Sequence, residues 1–196
     1  MKKSLVSILV IVGIILVLVM WGTSRYNRLV SLEEGVTGAW SQVENVYQRR
    51  ADLIPNLVNT VKGYADFEQT TLTQVIEARS KATGVNINAE NLDQSSIQQF
   101  QQAQEGLSSA LSRLMVVVER YPDLKANQNF MDLQSQLEGT ENRITVERRN
   151  FNTAAQGYNA QIRRFPNNIF AGMFGFERKA YFEAEQGAEQ APEVQF

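Results

Sequence analysis

Residues 130–166 read FMDLQSQLEGTENRITVERRNFNTAAQGYNAQIRRFP and carry a large apolar side chain at every seventh position. These side chains are Phe130, Leu137, Ile144, Phe151, Tyr158 and Phe165. A seven-residue repeat sustained over this length predicts one long helix that packs against other helices along a continuous seam. Since Pro166 lacks the N–H that a helix interior needs, we expect this helix to begin near Asp123–Asn127 and to end before Pro166.

The same seven-residue spacing starts upstream, where it forms two rows. The first row is Leu29, Val36, Val43, Arg50, Leu57 and Tyr64, the second is Leu32, Ala39, Val46, Leu53, Thr60 and Phe67, and Trp40 and Tyr47 widen the stripe. Pro55 interrupts both rows, so either one helix kinks there or a first helix ends near Arg50 and Asp52 caps a second. We favour the second interpretation, because proline is tolerated in the first turn of a helix.

Two further helix boundaries complete the predicted architecture. The second helix is expected to end near Gly84, and a third helix runs from Ile97 to Tyr121, where a proline follows. Short connections between long helices give antiparallel neighbours. The sequence therefore predicts an all-α fold in which residues 23–166 form an up-and-down antiparallel four-helix bundle.

An uncharged apolar segment precedes the bundle. Residues 5–21 read LVSILVIVGIILVLVMW, and residues 4–21 span roughly 27 Å as a helix, close to the hydrocarbon thickness of a bilayer. A cleaved signal peptide has a shorter apolar core and a small-residue cleavage site, so we predict an uncleaved transmembrane helix over residues 4–22 behind a short flank, residues 1–3. Its anchor residues are Leu5, Ile8, Val12, Ile15, Val19 and Trp21.

Charges beside the anchor give an expectation about orientation. The N-terminal amine, Lys2 and Lys3 lie on one side of the segment, and Arg25 and Arg28 lie on the other. The positive-inside rule then favours a cytoplasmic N-terminus. We expect a single-pass protein of the cell (inner) membrane with an extracytoplasmic body.

The C-terminal residues 167–196 are aromatic and acidic. Their aromatic side chains include Phe170, Phe174, Phe176, Tyr181, Phe182 and Phe196. So many aromatics are unusual in a disordered tail, which favours a segment that packs on the bundle. The alternative is that these six residues contact a partner protein, and we take them as the candidate partner-contact site.

The composition excludes several kinds of chemistry. The chain of 196 residues has no Cys and no His, and its 19 basic and 21 acidic side chains give a net charge of −2. We therefore expect no zinc site, no Ser-His-Asp triad and no nucleic-acid partner. A di-metal bundle needs Glu-x-x-His pairs, which are absent, so we predict no metal, no cofactor and no catalytic residue.

Two polar clusters have both a chemical and a structural interpretation. Residues 140–143 and 147–149 suggest an acid–base site, but a solvated face or an ion-pair network beside the seam is the better interpretation. Arg49, Arg50 and Asp52 suggest an anion site, but capping at a turn between helices is preferred.

Several motifs, taken in order along nearly the whole chain, resemble the LemA family of bacterial membrane proteins. They include Ala39-Trp-Ser-Gln-Val43, Arg49-Arg-Ala-Asp-Leu-Ile-Pro-Asn-Leu-Val58, Tyr121-Pro-Asp-Leu-Lys125, Phe151-Asn152, Tyr158-Asn159, Phe174-Gly-Phe176 and Tyr181-Phe-Glu183. Phe151 stands where a tyrosine is expected, and Asp66-Phe67 where relatives often carry a histidine. The resemblance implies a membrane anchor, a helical bundle and an envelope role with no known reaction. It also implies an association with a membrane protease or with the building of a magnetic organelle.

These observations lead to one principal hypothesis about function. We expect a non-enzymatic scaffold or adaptor of the bacterial cell envelope that acts through protein contacts, with a membrane protease as one possible partner. The first alternative is a self-assembling structural protein that forms homo-oligomers. The remote alternative is a carboxylate-based hydrolase.

Overall fold

The computed structural model describes residues 2–63, 68–89 and 91–183, with side chains from Leu5 onward. Six helices lie within these ranges: α1 (Lys2–Lys62), α2 (Gln69–Gly84), α3 (Gln94–Val118), α4 (Pro122–Lys125), α5 (Gln128–Arg163) and α6 (Asn167–Phe174). The described residues contain no strand. The predicted all-α fold is confirmed, and α1, α2, α3 and α5 are its four long helices.

The predicted helix break near Arg50 is wrong, because α1 continues through Pro55 to Lys62. A proline inside a helix leaves the carbonyl four residues earlier without its usual donor. Here that carbonyl belongs to Ala51, and it accepts a hydrogen bond from Nε of Arg79 at 2.8 Å. Asp52 caps nothing; its carboxylate instead accepts from the Gln48 side chain at 2.8 Å. A guanidinium from α2 thus replaces the donor that Pro55 lacks.

The buried face of α1 also differs from the two predicted rows. The first row, from Leu29 to Leu57, is buried. The second buried row is Trp40, Tyr47, Ile54 and Val61, whereas Leu32, Ala39, Val46, Leu53 and Thr60 are half-buried at its edge. Tyr64 and Phe67, the last members of the predicted rows, lie outside the described residues. The second buried row is therefore the one that contains the aromatic side chains of Trp40 and Tyr47.

The core has two parts along the length of α1. Trp40 contacts Phe151, and Arg50 contacts Glu141, so α1 and α5 are antiparallel. In the half that is distal to the apolar segment, the C-terminal part of α1 and the N-terminal part of α5 pack with α2 and α3 around an aliphatic core. In the proximal half, the core is rich in aromatic rings and includes side chains from the loop after α2 and from residues that follow α6.

Side-chain caps mark the starts of α3 and α5. The Asp93 carboxylate accepts a hydrogen bond from the Ser96 N–H at 2.8 Å. This bond favours the ionised carboxylate and holds the pKa of Asp93 below its ordinary value. Asn127 accepts in the same way from the Phe130 N–H at 3.1 Å, so the long helix starts at Gln128, after the single turn of α4.

Candidate functional site

Among the described residues, none covers the apolar surface of the first part of α1. The large apolar side chains from Leu5 to Met20 are each 46–73% exposed. The segment is long and apolar enough to cross a membrane, and none of its most apolar window is buried. Burying one such side chain is worth about 1.5–3 kcal/mol, so this surface requires an apolar environment. Five of the predicted anchor residues, Leu5, Ile8, Val12, Ile15 and Val19, lie on it.

The end of this segment contacts α6. The Trp21 ring, the sixth predicted anchor residue, lies 5.7 Å from the Phe170 ring. Tyr26 lies 4.8 Å from Phe174 and 5.7 Å from Phe176. Three of the candidate partner-contact residues therefore pack against one side of α1, at and just beyond the end of the apolar segment.

Gly175 allows the chain to leave α6 and return along the bundle. Its φ is 75°, a left-handed conformation that is typical of the residue that closes a helix. The following N–H, of Phe176, donates to the Ala171 carbonyl at 3.0 Å. Residues 176–183, which we call the strap, then continue without helical structure.

Two asparagines of α5 hold the backbone of the strap. Asn159 donates to the Lys179 carbonyl at 2.7 Å and accepts from the Lys179 N–H at 3.0 Å. Asn152 makes the same pair of bonds to Phe182, at 3.0 and 2.9 Å. The Ala180 N–H donates to the Leu92 carbonyl at 2.8 Å. The asparagines are seven residues apart, so both amides lie on one face of α5 and each pairs with the N–H and the C=O of one strap residue.

The side chains of the strap enter the core. Phe182 is 5% exposed, and its ring lies 6.0 Å from Trp40 and 5.5 Å from Phe151. The Arg148 guanidinium covers it at 4.8 Å, and the Tyr181 hydroxyl accepts from Asn159 at 2.8 Å. Of the candidate partner-contact residues, Phe182 is therefore part of the core and Tyr181 is half-buried. Phe196 lies outside the described residues.

A buried cation links the strap to both long helices. The Lys179 ammonium is 7% exposed and lies 2.9 Å from a carboxylate oxygen of Glu33. It also lies 5.9 Å from the ring centre of Tyr158. Burial raises the pKa of the Tyr158 hydroxyl above its ordinary value, and the nearby charge of Glu33 adds to this increase.

Arg50 is a structural cation of the distal core. It is 2% exposed and donates to Glu141 at 2.8 Å, to Ser108 at 2.9 Å and to the Gln104 side chain at 2.6 Å. Its guanidinium also lies 5.0 Å from the Tyr47 ring. These contacts join α1, α3 and α5, so Arg50 belongs neither to an anion site nor to a helix turn.

Two carboxylates that suggested an acid–base site make structural contacts, one with another helix and one within α5. Glu141 pairs with Arg50, and Glu147 accepts from Asn150 at 2.9 Å. Across residues 2–63, 68–89 and 91–183, no three Asp or Glu side chains gather where they are able to hold a metal ion. The Glu141–Arg50 pair is an ion pair beside the seam, as the sequence favoured.

Four residues that organise this region were not predicted from the sequence: Arg79, Asn152, Asn159 and Lys179. A signal was present for the asparagines, since each directly follows a seam aromatic and they share the seven-residue spacing. Asn is unfavourable inside a helix unless its side chain has another use. No comparable signal existed for Arg79 or Lys179, whose partners are distant in sequence.

Comparisons with known proteins agree with this architecture. The model of the LemA family matches residues 39–196. Magnetosome protein MamQ 2 of Paramagnetospirillum magneticum is 29% identical, over 91% of this chain and 70% of the relative. Magnetosome protein MamQ of Magnetospirillum gryphiswaldense is 29% identical, over 90% and 70%. Protein LemA of Metamycoplasma hominis is 25% identical, over 83% and 70%. Because the family model covers most of the chain, this protein belongs to the LemA family.

Proposed function

We propose that this protein is a non-enzymatic, single-pass membrane protein of the bacterial cell envelope that serves as a scaffold or adaptor for other proteins. The observation that carries the proposal is the continuity of α1, one helix from Lys2 to Lys62. Beyond the apolar segment, the remaining 40 or so residues extend about 60 Å as a helix. The bundle is therefore a rigid platform that has no flexible linker to its anchor.

The relatives support a membrane-associated role. Two of them are named as magnetosome proteins, and a third bears the family name. A role in assembly on a membrane requires binding surfaces rather than a catalytic site. The distal half of the bundle has exposed apolar side chains at Ile76, Val116 and Met131, and these are the positions at which we look for such contacts.

Photocrosslinking in living cells tests the scaffold role. A photoreactive amino acid is placed at Ile76, Val116 or Met131, one position at a time, in the full chain at native expression level. A specific partner is expected to crosslink from some of these positions and not from others, whereas random collisions crosslink from all of them. Adducts that contain only this chain support the self-assembling alternative, and the absence of any adduct contradicts both roles.

The proposed orientation places the bundle outside the cytoplasm, because the flanking basic charge is slightly greater before the anchor than after it. The chain has no native Cys, so a single Val116→Cys substitution gives one labelling site, 71% exposed and remote from the anchor. A membrane-impermeant maleimide is expected to label it in intact cells, once access through any outer layer is provided. Labelling that requires lysis of the cell membrane contradicts this orientation.

A further inference from the structure

We propose that α6, together with the preceding Phe165, lies in the headgroup region of the bilayer and forms a second membrane contact beside the transmembrane segment. The inference rests on the single-pass anchoring proposed above. Its first support is the polarity of α6. Phe165, Ile169, Met173 and Phe174 are 81%, 52%, 72% and 53% exposed.

The outward side of α6 is apolar, although the helix also turns an aromatic side chain inward. Its inward side carries the half-buried Phe170, Ala171 and the polar Asn167, which is 5% exposed and donates to the Gln161 side chain at 3.2 Å. A helix whose outer face meets water carries polar or charged residues on that face. The arrangement of α6 is typical of a helix whose outer face contacts lipid.

The position of α6 fixes its depth relative to the anchor. Phe170 contacts Trp21, and a Cβ added at Gly22 lies 3.5 Å from the Phe170 ring. Phe174 contacts Tyr26, which lies about 7.5 Å further along the axis of α1. The headgroup region on each side of a bilayer is about 5–8 Å thick. Since the apolar segment ends at Trp21, α6 lies at the depth of the headgroups.

The charges near α6 suit phospholipid phosphates. Arg28, Arg163, Arg164 and Arg178 are exposed, and all of them lie at the end of the bundle that carries α6. Arg25 stacks on Trp21 with its guanidinium 5.5 Å from the ring centre. Of the nearby acids, Glu33 is paired with Lys179, whereas Glu34 and Glu177 are exposed, so arginines still outnumber exposed carboxylates at this end. Apolar side chains flanked by arginines favour a lipid surface over a protein partner.

A second contact restricts how the bundle tilts relative to the membrane. A single transmembrane helix tilts readily in a bilayer. An α6 that is inserted on one side of α1 opposes tilt toward the other side, because that motion would pull Phe165, Ile169 and Met173 out of the lipid. The distal end of the bundle is then held within a restricted range of angles to the membrane plane.

Depth-dependent quenching in the full chain tests the inference. Single cysteines at Met173, Val12 and Val116 are labelled with the environment-sensitive dye NBD, and each protein is reconstituted in phosphatidylcholine–phosphatidylglycerol vesicles. Each vesicle preparation contains lipids whose spin label lies either near the headgroups or near the bilayer centre, and the label quenches NBD fluorescence at that depth. Val116 is the matched control, since it is 71% exposed against 72% for Met173 but lies on the distal part of α3.

The three probes separate the two proposals. We expect the probe at residue 173 to be quenched by the shallow spin label, the probe at 12 by the deep one, and the probe at 116 by neither. A quenched probe at 12 with a probe at 173 that behaves like that at 116 overturns the α6 inference and leaves the anchor intact. An unquenched probe at 12 overturns the anchor itself.

A charge variant checks that quenching at α6 reflects insertion of its apolar face. Ile169→Glu and Met173→Glu are introduced together with a dye at Phe165→Cys. Because these side chains are exposed, we expect helical content and thermal unfolding to stay as in the parent. The dye is expected to lose its shallow quenching and shift its emission toward that in water. Unchanged quenching contradicts insertion through this face.

Discussion

At the scale of single residues, the contact between Arg79 and Ala51 explains why the sequence prediction of a helix break failed. A proline is judged locally by the hydrogen bond it removes, which costs about 3 kcal/mol or more in a helix interior. In this fold Arg79, which lies 28 positions after Ala51, supplies the missing donor. Neither local spacing nor helix propensity carries that information. Local sequence around Pro55 therefore predicts a helix break, and the tertiary contact with Arg79 prevents it.

A double-mutant cycle tests whether Arg79 replaces the hydrogen-bond donor that Pro55 lacks. Arg79→Met is expected to lower the free energy of unfolding by about 1–3 kcal/mol, since it leaves the Ala51 carbonyl without a donor. Pro55→Ala restores a backbone N–H to that carbonyl, so Arg79→Met is expected to cost much less in the Pro55→Ala protein. Urea unfolding measures all four proteins, with exposed Arg143→Met as the control. Equal costs in the two backgrounds contradict this replacement.

The buried hydroxyl of Tyr158 makes a prediction about alkaline pH. Burial, with a further contribution from Glu33, raises the pKa of Tyr158 in the folded protein above that of a free tyrosine. The unfolded chain therefore loses its phenolic proton first, and stability that is complete below about pH 10 is lost as pH rises above it. Tyr158→Phe is expected to reduce this alkaline loss. The midpoints of urea unfolding at pH 8 and pH 11 measure this loss of stability. A loss in Tyr158→Phe that equals the loss in the parent contradicts its assignment to Tyr158.

At the scale of elements, the strap completes the proximal half of the bundle, where it takes the place that a fourth helix has in the distal half. In the proximal half, Phe182 fills the space between α1, α3 and α5, and the strap backbone bonds to α5 on one side and to the loop before α3 on the other. An extended segment supplies no hydrogen bonds for its own backbone. Asn152 and Asn159 provide them, and this need explains two asparagines inside a long helix.

The strap is expected to depend on these two side chains. Asn152→Ala and Asn159→Ala each remove the bonds to the N–H and the C=O of one strap residue, so the double variant is expected to expose the amides of Lys179 and Phe182 to hydrogen exchange. Asn150→Ala is the matched control, because Asn150 lies on the same helix and bonds only to Glu147 among the contacts seen. Full protection of both amides in the double variant rules out this role.

At the scale of the whole molecule, sequence periodicity predicted the class of fold and most of the seam. The row from Phe130 to Tyr158 is buried throughout, but Phe165 is 81% exposed. The repeat continues past the end of α5, and spacing alone does not tell where the surroundings change from core to membrane. The same limit applies to Phe170 and Phe174. Their aromatic character was evident, but their position beside Trp21 and Tyr26 depends on the length of α5 and the turn after it.

The continuity of α1 predicts that the bundle is held rigidly relative to its anchor. Thr23 and Ser24 lie between the two and are exposed, so replacing both with glycine weakens the helix without altering the core, by about 0.3–0.5 kcal/mol per residue relative to the parent and about 1 kcal/mol per residue relative to alanine. Spin labels at Leu9→Cys and Val116→Cys, in the full chain in lipid nanodiscs, report the distance between anchor and distal bundle. We expect a narrow distribution in the parent and in a Thr23→Ala, Ser24→Ala control, and a broad one in the glycine variant.

A distribution that stays narrow in the glycine variant shows that α1 is not what fixes the bundle. The contact of α6 with Trp21 and Tyr26 then becomes the element that holds it, and adding Ile169→Glu and Met173→Glu to the glycine variant is expected to broaden the distribution.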